Sequence, residues 1–130
     1  MKQLIFTLLL LATTGTYSSF AQKAKTESGP LVWTSDLMKA YEQSKATGKP
    51  IFGFFTGSDW CGWCHKMEAN VFSKPGFKEW AEKNVILLEL DFPRMKKLPE
   101  ELMQQNNNLQ QFFKVQGYPT VWIFDIMKDA

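Results

Sequence analysis

Three short apolar runs, separated by amphipathic stretches, organise the chain. Residues 51–56 read IFGFFT, too short for a helix and rich in aromatics, which predicts a buried strand. Residues 85–92 (VILLELDF) and 120–125 (TVWIFD) predict two more. Ahead of the first run, Ser35 is placed to cap a helix whose inward face carries Leu37, Ala40, Tyr41 and Ser44, with Lys39, Glu42 and Lys45 facing water. Gly48 ends that helix and Lys49-Pro50 blocks its continuation. A second helix is expected from Cys61 to about Phe72, with Cys64, Met67 and Val71 on one face and Lys66 and Asn70 on the other. Residues 73–76 (SKPG) break the chain, and a helix over residues 77–83 buries Phe77, Trp80 and Ala81. Residues 94–107 admit two readings. Pro99 followed by Glu100 and Glu101 opens a helix, whereas Asn106-Asn107-Asn108 forms a turn or cap before residues 109–115, with Gly117 as the stop. Helices alternating with apolar strands imply an α/β domain whose sheet is covered on both faces.

The start of the chain has a different grammar. Met1 and Lys2 are followed by an apolar run over residues 4–12, then by small and polar residues ending Ser19-Phe20-Ala21. That is the layout of a secretory signal peptide. As a helix the run spans about 14 Å, under half of a hydrocarbon core of about 30 Å, so no retained membrane span is expected. Residues 1–21 are therefore read as a signal peptide, 22–32 as a flexible lead-in that contains a Gly29-Pro30 turn signal, and 33–130 as the domain. The expected location is the periplasm or another extracytoplasmic space. Composition narrows the function. With 45% hydrophobic and 22% charged residues the chain is globular and sized for one domain. The net charge is only +2 and the lysines are scattered, which gives a nucleic-acid surface no support. Two cysteines are too few for a disulfide-stapled mini-domain.

Both cysteines fall in Trp60-Cys61-Gly62-Trp63-Cys64, directly after the first predicted strand and at the start of a helix. A thiolate there faces unpaired backbone N–H groups and the positive end of the helix dipole, which lowers the expected pKa of Cys61. Two intervening residues put Cys64 one turn on, about 5–6 Å away between Cβ atoms, close enough to join in a disulfide.

A strand, then Trp-Cys-Gly-Trp-Cys, then a helix, with Tyr118-Pro119-Thr120 before the last strand, resembles the thioredoxin superfamily over residues 33–125. The segment from Phe54 to Cys61, with Lys66-Met67-Glu68 following the second cysteine, is similar to exported thioredoxin-like proteins. The resemblance implies a thioredoxin-like α/β fold with a central mixed sheet and helices on both faces. It implies a thiol-disulfide oxidoreductase, reductase favoured over oxidase, with Cys61 as nucleophile and Cys64 as resolving thiol. Pro119, in the cis form, would border the substrate groove, and the backbone of Tyr118 would pair with the substrate strand. No dissociable cofactor is implied beyond the redox-active disulfide, and the partners are protein thiols and disulfides plus a redox donor or acceptor. Three departures stand out. Thioredoxins have Pro where this chain has Trp63, so the redox poise does not carry over. They bury an acid on the preceding strand, where this chain has Gly53, Phe54 or Phe55, so Glu68 or water takes the Cys64 proton. Their fold continues with a final strand and helix that residues 33–130 omit. The expectation is a shortened form of a longer protein, poorly stable alone, with the last strand open at its edge.

Other readings stand beside this one. Cys61, Cys64 and His65 also satisfy C-x-x-C-H, the c-type haem attachment pattern, with Met38, Met67, Met95, Met103 and Met127 as nominal second axial ligands. A metal-binding module on the same three residues lacks an evident fourth ligand. A structural disulfide would close a loop too short to remove much unfolded-state entropy. His65 either raises the local positive potential or is a solvated helix residue. Asp59 either disfavours the Cys61 thiolate or caps the loop before the helix. Trp60 and Trp63 are candidates for the apolar rim of a substrate groove, while Trp33, Trp80 and Trp122 are assigned to the core.

Overall fold

The computed structural model describes residues 29–126. The signal-peptide reading, most of the lead-in and Met127 lie outside them. The elements run β1 (Trp33–Thr34), α1 (Leu37–Thr47), β2 (Ile51–Thr56), α2 (Gly62–Met67) continuing as a π turn (Glu68–Phe72), α3 (Pro75–Asn84), β3 (Ile86–Asp91), α4 (Glu100–Phe112) and β4 (Thr120–Phe124).

The three apolar runs form strands with nearly the expected bounds, and the sheet order is β1-β3-β2-β4. β1 and β2 run parallel to β3, whereas β4 is antiparallel to β2 with Gly53 opposite Trp122. β1 is a strand that no periodicity announced, since two residues are too few to show any. Alternation along β2 divides the core in two. Phe52 and Phe54 face one layer with Leu87, Phe72, Ala81 and both cysteines. Ile51 and Phe55 face the other with Ala40, Leu88, Leu90 and Val115. Helices α2 and α3 therefore cover one face and α1 and α4 the other, a mixed sheet with helices on both sides in a thioredoxin-like α/β arrangement. Among the described residues no strand follows β4, and Trp122 and Ile123 are 44% and 51% exposed on its two faces.

Helix ends and registers correct several expectations. Asp36, not Ser35, caps α1, its carboxylate accepting from the N–H groups of Met38 and Lys39. Asp36 directly precedes the first helical residue, and its carboxylate satisfies two of the orphan donors of the first turn. Gly48 closes the helix at φ +70°, a left-handed position that favours glycine. In the second helix the inward residue of the last turn is Phe72, 5% exposed, while Val71 is 41% exposed. The π turn supplies the reason, because one extra residue per turn moves the buried position on by one. Residues 100–112 form a single helix that runs through the asparagine cluster. Asn106 is buried there, its Nδ2 donating to the Asp91 carbonyl at 2.9 Å, so a tertiary bond overrides the local preference of Asn for caps. The chain turns at Lys114 (φ +52°) instead of at Gly117.

Aromatic residues make up 15% of the chain, and many of them fill the two layers. Phe72 meets Trp33, Phe54 and Phe77 at 5.4, 4.9 and 4.8 Å between ring centroids. Trp33 packs on this core as expected. Trp80 and Trp122 do not sit inside it: Trp80 packs on Phe77 and Phe52 and Trp122 stacks on Phe113, yet both stay substantially exposed.

Candidate active site

The turn after β2 delivers the cysteines. The carbonyl of Gly57 accepts the N–H groups of Trp60 and Cys61 at 3.1 and 2.8 Å, which folds the chain back so that α2 starts at once. Cys61 is the residue before the first helical position, in extended conformation, and the N–H of Cys64 donates to its sulfur at 3.2 Å. The two sulfurs are joined, with Cα atoms 5.3 Å apart. Cys61 is 5% exposed and Cys64 0%, so the little access there is belongs to the first cysteine.

Tyr118 and Pro119 arrive from the far end of the chain. Their peptide bond is cis, Tyr118 packs on the layer that holds both cysteines, and its ring lies 5.8 Å from that of Trp60. The Tyr118 hydroxyl donates to Gln110 Oε1 at 3.1 Å, and burial pushes its pKa up.

The two tryptophans of the motif differ. Trp63 is 70% exposed and carries Lys66 over its ring at 4.3 Å. Trp60 is clamped: its Nε1–H donates to the Phe92 carbonyl at 2.8 Å, Arg94 stacks on its ring at 3.7 Å, and Tyr118 abuts its edge. Asp59 is clamped as well. Its carboxylate accepts the N–H groups of Arg94, Met95 and Lys96 at 2.7–3.2 Å, and these donors, that of Arg94 foremost, lower its pKa. Asp59 thus caps a loop, though the one after β3 and not the one before α2. His65 donates Nε2–H to the Ser58 carbonyl at 2.8 Å. Ser58 in turn donates its N–H and hydroxyl to the two oxygens of Asp91 at 2.8 and 2.6 Å.

Glu68 sits where α2 passes into the π turn and lines a cavity of about 270 Å³ with Trp33, Phe54, Phe72, Lys78 and Glu89. Glu89 was not anticipated. It lies on β3 opposite Phe54, and burial first, then the charges of Asp91 and Glu68, raise its pKa. Its signal was present as an acid flanked by leucines inside the apolar run VILLELDF, which carries Asp91 as its second charge. Arg94 and Asp91 were likewise missed, because their partners are distant in sequence.

The haem reading finds no support in this geometry. The sulfurs are bonded to each other, and the His65 nitrogen is held by a backbone carbonyl. Among the described residues no group of three or more His, Cys, Asp or Glu side chains converges as a metal site would require. Among them, too, no helix is long and apolar enough to cross a membrane.

A disulfide bond reductase, DsbH of Chlamydia pneumoniae, is 42% identical over 95 residues, covering 73% of this chain and 57% of that protein. The thioredoxin-related protein DsbJ of the same organism is 30% identical over 93 residues, 72% of this chain and 27% of its own length. The chain thus spans little more than half, or less, of the curated relatives it matches. A solved DsbH oxidoreductase structure superposes with a TM-score of 0.74 at 39% identity, covering 82% of this chain and 73% of that one. A thioredoxin from Thermus thermophilus, at 20% identity and a TM-score of 0.54 over 73% of this chain and 65% of that one, shares the fold. The sequence profile of a family described as thioredoxin-like matches residues 32–125, nearly all that the structure describes, and the chain belongs to that thioredoxin-like family.

Proposed function

We propose that this chain is a thiol-disulfide oxidoreductase that reduces protein disulfides through Cys61 and Cys64, in an extracytoplasmic compartment. The observation that carries the reading is the joined pair at the start of α2, with a helical N–H on the Cys61 sulfur and Tyr118 packed on the layer that holds both cysteines. In the reduced protein the same N–H donates to the Cys61 thiolate and favours it. That thiolate attacks one sulfur of a substrate disulfide, forming a mixed disulfide and expelling the other sulfur as thiolate. Cys64, once deprotonated, attacks the Cys61 sulfur, releases the second substrate thiolate and closes the Cys61–Cys64 disulfide. Two electrons pass to the substrate, and an external dithiol donor resets the pair. Glu68, one helical turn on from Cys64, or water takes the Cys64 proton. Trp63, Tyr118 and Pro119 border the substrate groove. Trp60 serves as its fixed wall. Asp59 and His65 hold the loop that carries Cys61. Reduction over oxidation is supported by the name of the 42%-identical relative, and the location by the layout of residues 1–21.

The roles are tested by trapping. Cys64→Ser should accumulate mixed disulfides with a disulfide-containing protein, whereas Cys61→Ser should form none. Equal yields from the two variants would contradict the assignment. The reduction potential of the pair, measured against glutathione, decides the direction.

A further inference from the structure

Residues 92–98 and α4 enclose a groove of about 530 Å³ that plays no part in the redox steps. Its composition is uneven. Arg94, Lys96 and Lys97 stand along one lip, and Leu98 and Met103 supply apolar lining. The one acid in its wall, Asp91, is already bound to Ser58 and to Lys96 at 3.0 Å. Arg94 and Lys97 make no ion pair among the described residues. The concentration of positive charge is local, since the whole chain carries only +2.

The groove is also fastened to the redox site. Its lip is the segment whose N–H groups hold Asp59, two residues before Cys61. Phe92, in its wall, accepts from Trp60 and packs 5.1 Å from Tyr118. A polypeptide reacting at Cys61 and passing the Trp60–Tyr118 wall therefore meets Lys97 and the Trp60-stacked Arg94, neither of them in an ion pair among the described residues, beside apolar lining.

We infer that this groove seats an acidic stretch, bearing an apolar side chain, of the same partner protein whose disulfide reacts at Cys61. The inference rests on the oxidoreductase reading. Unlike charge across such a contact raises the encounter rate and selects the partner more than it deepens binding.

The test uses two disulfide-bridged peptides of one core sequence, flanked by three Glu or by three Lys, with neutral hydroxyethyl disulfide as the small substrate. For each protein, kcat/KM on a peptide is divided by that on the small disulfide. The wild type should prefer the Glu-flanked peptide about tenfold or more at low ionic strength, a preference that shrinks as salt rises. Lys97→Glu should abolish or invert it, and Lys97→Gln should weaken it. Lys45→Glu, the same charge change on α1 away from the groove, should keep it. No preference in the wild type, or equal loss in the Lys97 and Lys45 variants, overturns the groove. If hydroxyethyl disulfide is not reduced and Cys64→Ser traps nothing, the oxidoreductase reading fails and the inference falls with it.

Discussion

Gly57 sits at the point where the active-site turn and the Trp60 clamp meet, and Gly57→Ala tests whether that clamp is real. The residue is buried, and its backbone lies outside the left-handed region, so alanine meets no conformational penalty. The obstacle is the Trp60 ring. A Cβ on residue 57 would lie 2.5 Å from Nε1 and 2.7 Å from Cζ2, with Cε2 closer still. Real Cβ atoms essentially never approach so near, so the ring or the turn must move. The ring is not a free side-chain end: the Phe92 carbonyl holds its nitrogen, Arg94 lies on its face, and Tyr118 closes its edge.

The cost follows from the two ways out. If the ring stays, overpacking costs about 1–3 kcal/mol. If it swings away, it forfeits a hydrogen bond of about 0.5–1.5 kcal/mol and a cation–π contact of about 0.5–1 kcal/mol. Alanine offsets about 0.4–1 kcal/mol of either by restricting the unfolded chain. The net expectation is a destabilisation of about 1–2 kcal/mol, read as a lower urea midpoint at unchanged m. The cycle with Trp60→Ala isolates the cause. In that background the extra methyl has no ring to strike, and Gly57→Ala should be neutral or slightly stabilising. An equal loss in both backgrounds, or a loss below about 0.5 kcal/mol in the wild type, would refute the clamp.

Two further outcomes are expected. Phe72→Ala should cost about 3–5 kcal/mol in urea unfolding, while Val71→Ala stays within about 0.5 kcal/mol; the reverse order would place an ordinary α-turn where the structure has a π turn. Glu89, whose folded pKa is raised above the ordinary 4.5, binds its proton more tightly in the folded state. Its contribution is therefore fully present below pH 4.5 and is lost as pH rises through the folded value. Glu89→Gln should flatten that decline in a stability-against-pH series, and an unchanged slope would count against the burial of the carboxyl.

The sequence carried the strands and the redox motif because both are local signals. An apolar run of the right length predicts a buried strand wherever it pairs, and C-x-x-C after a strand needs no distant partner to be recognised. The misreadings have two main causes. The residues concerned answer to neighbours far along the chain or to a change of helical pitch. Asn106 reads as a cap by propensity, yet a carbonyl 15 positions earlier holds it inside a helix. Val71 fits a 3.6-residue period, but the π turn moves the inward position to Phe72. Trp80 and Trp122 are large and apolar, which says that part of each ring will be covered but not that the whole will.

Asp59 shows how far the same limit reaches into function. From sequence alone, a carboxylate two residues before the nucleophile is an argument about charge, since it opposes a thiolate at Cys61. In the fold its oxygens face three backbone N–H groups from residues 94–96, whose dipoles offset that charge and keep the group ionised. The carboxylate then acts as a tether between the turn that presents Cys61 and the loop that forms the basic lip beside it. Its removal would loosen both at once. A side chain chosen for one electrostatic role is thus the physical link between the redox pair and the surface beside it, and that link spans 35 residues.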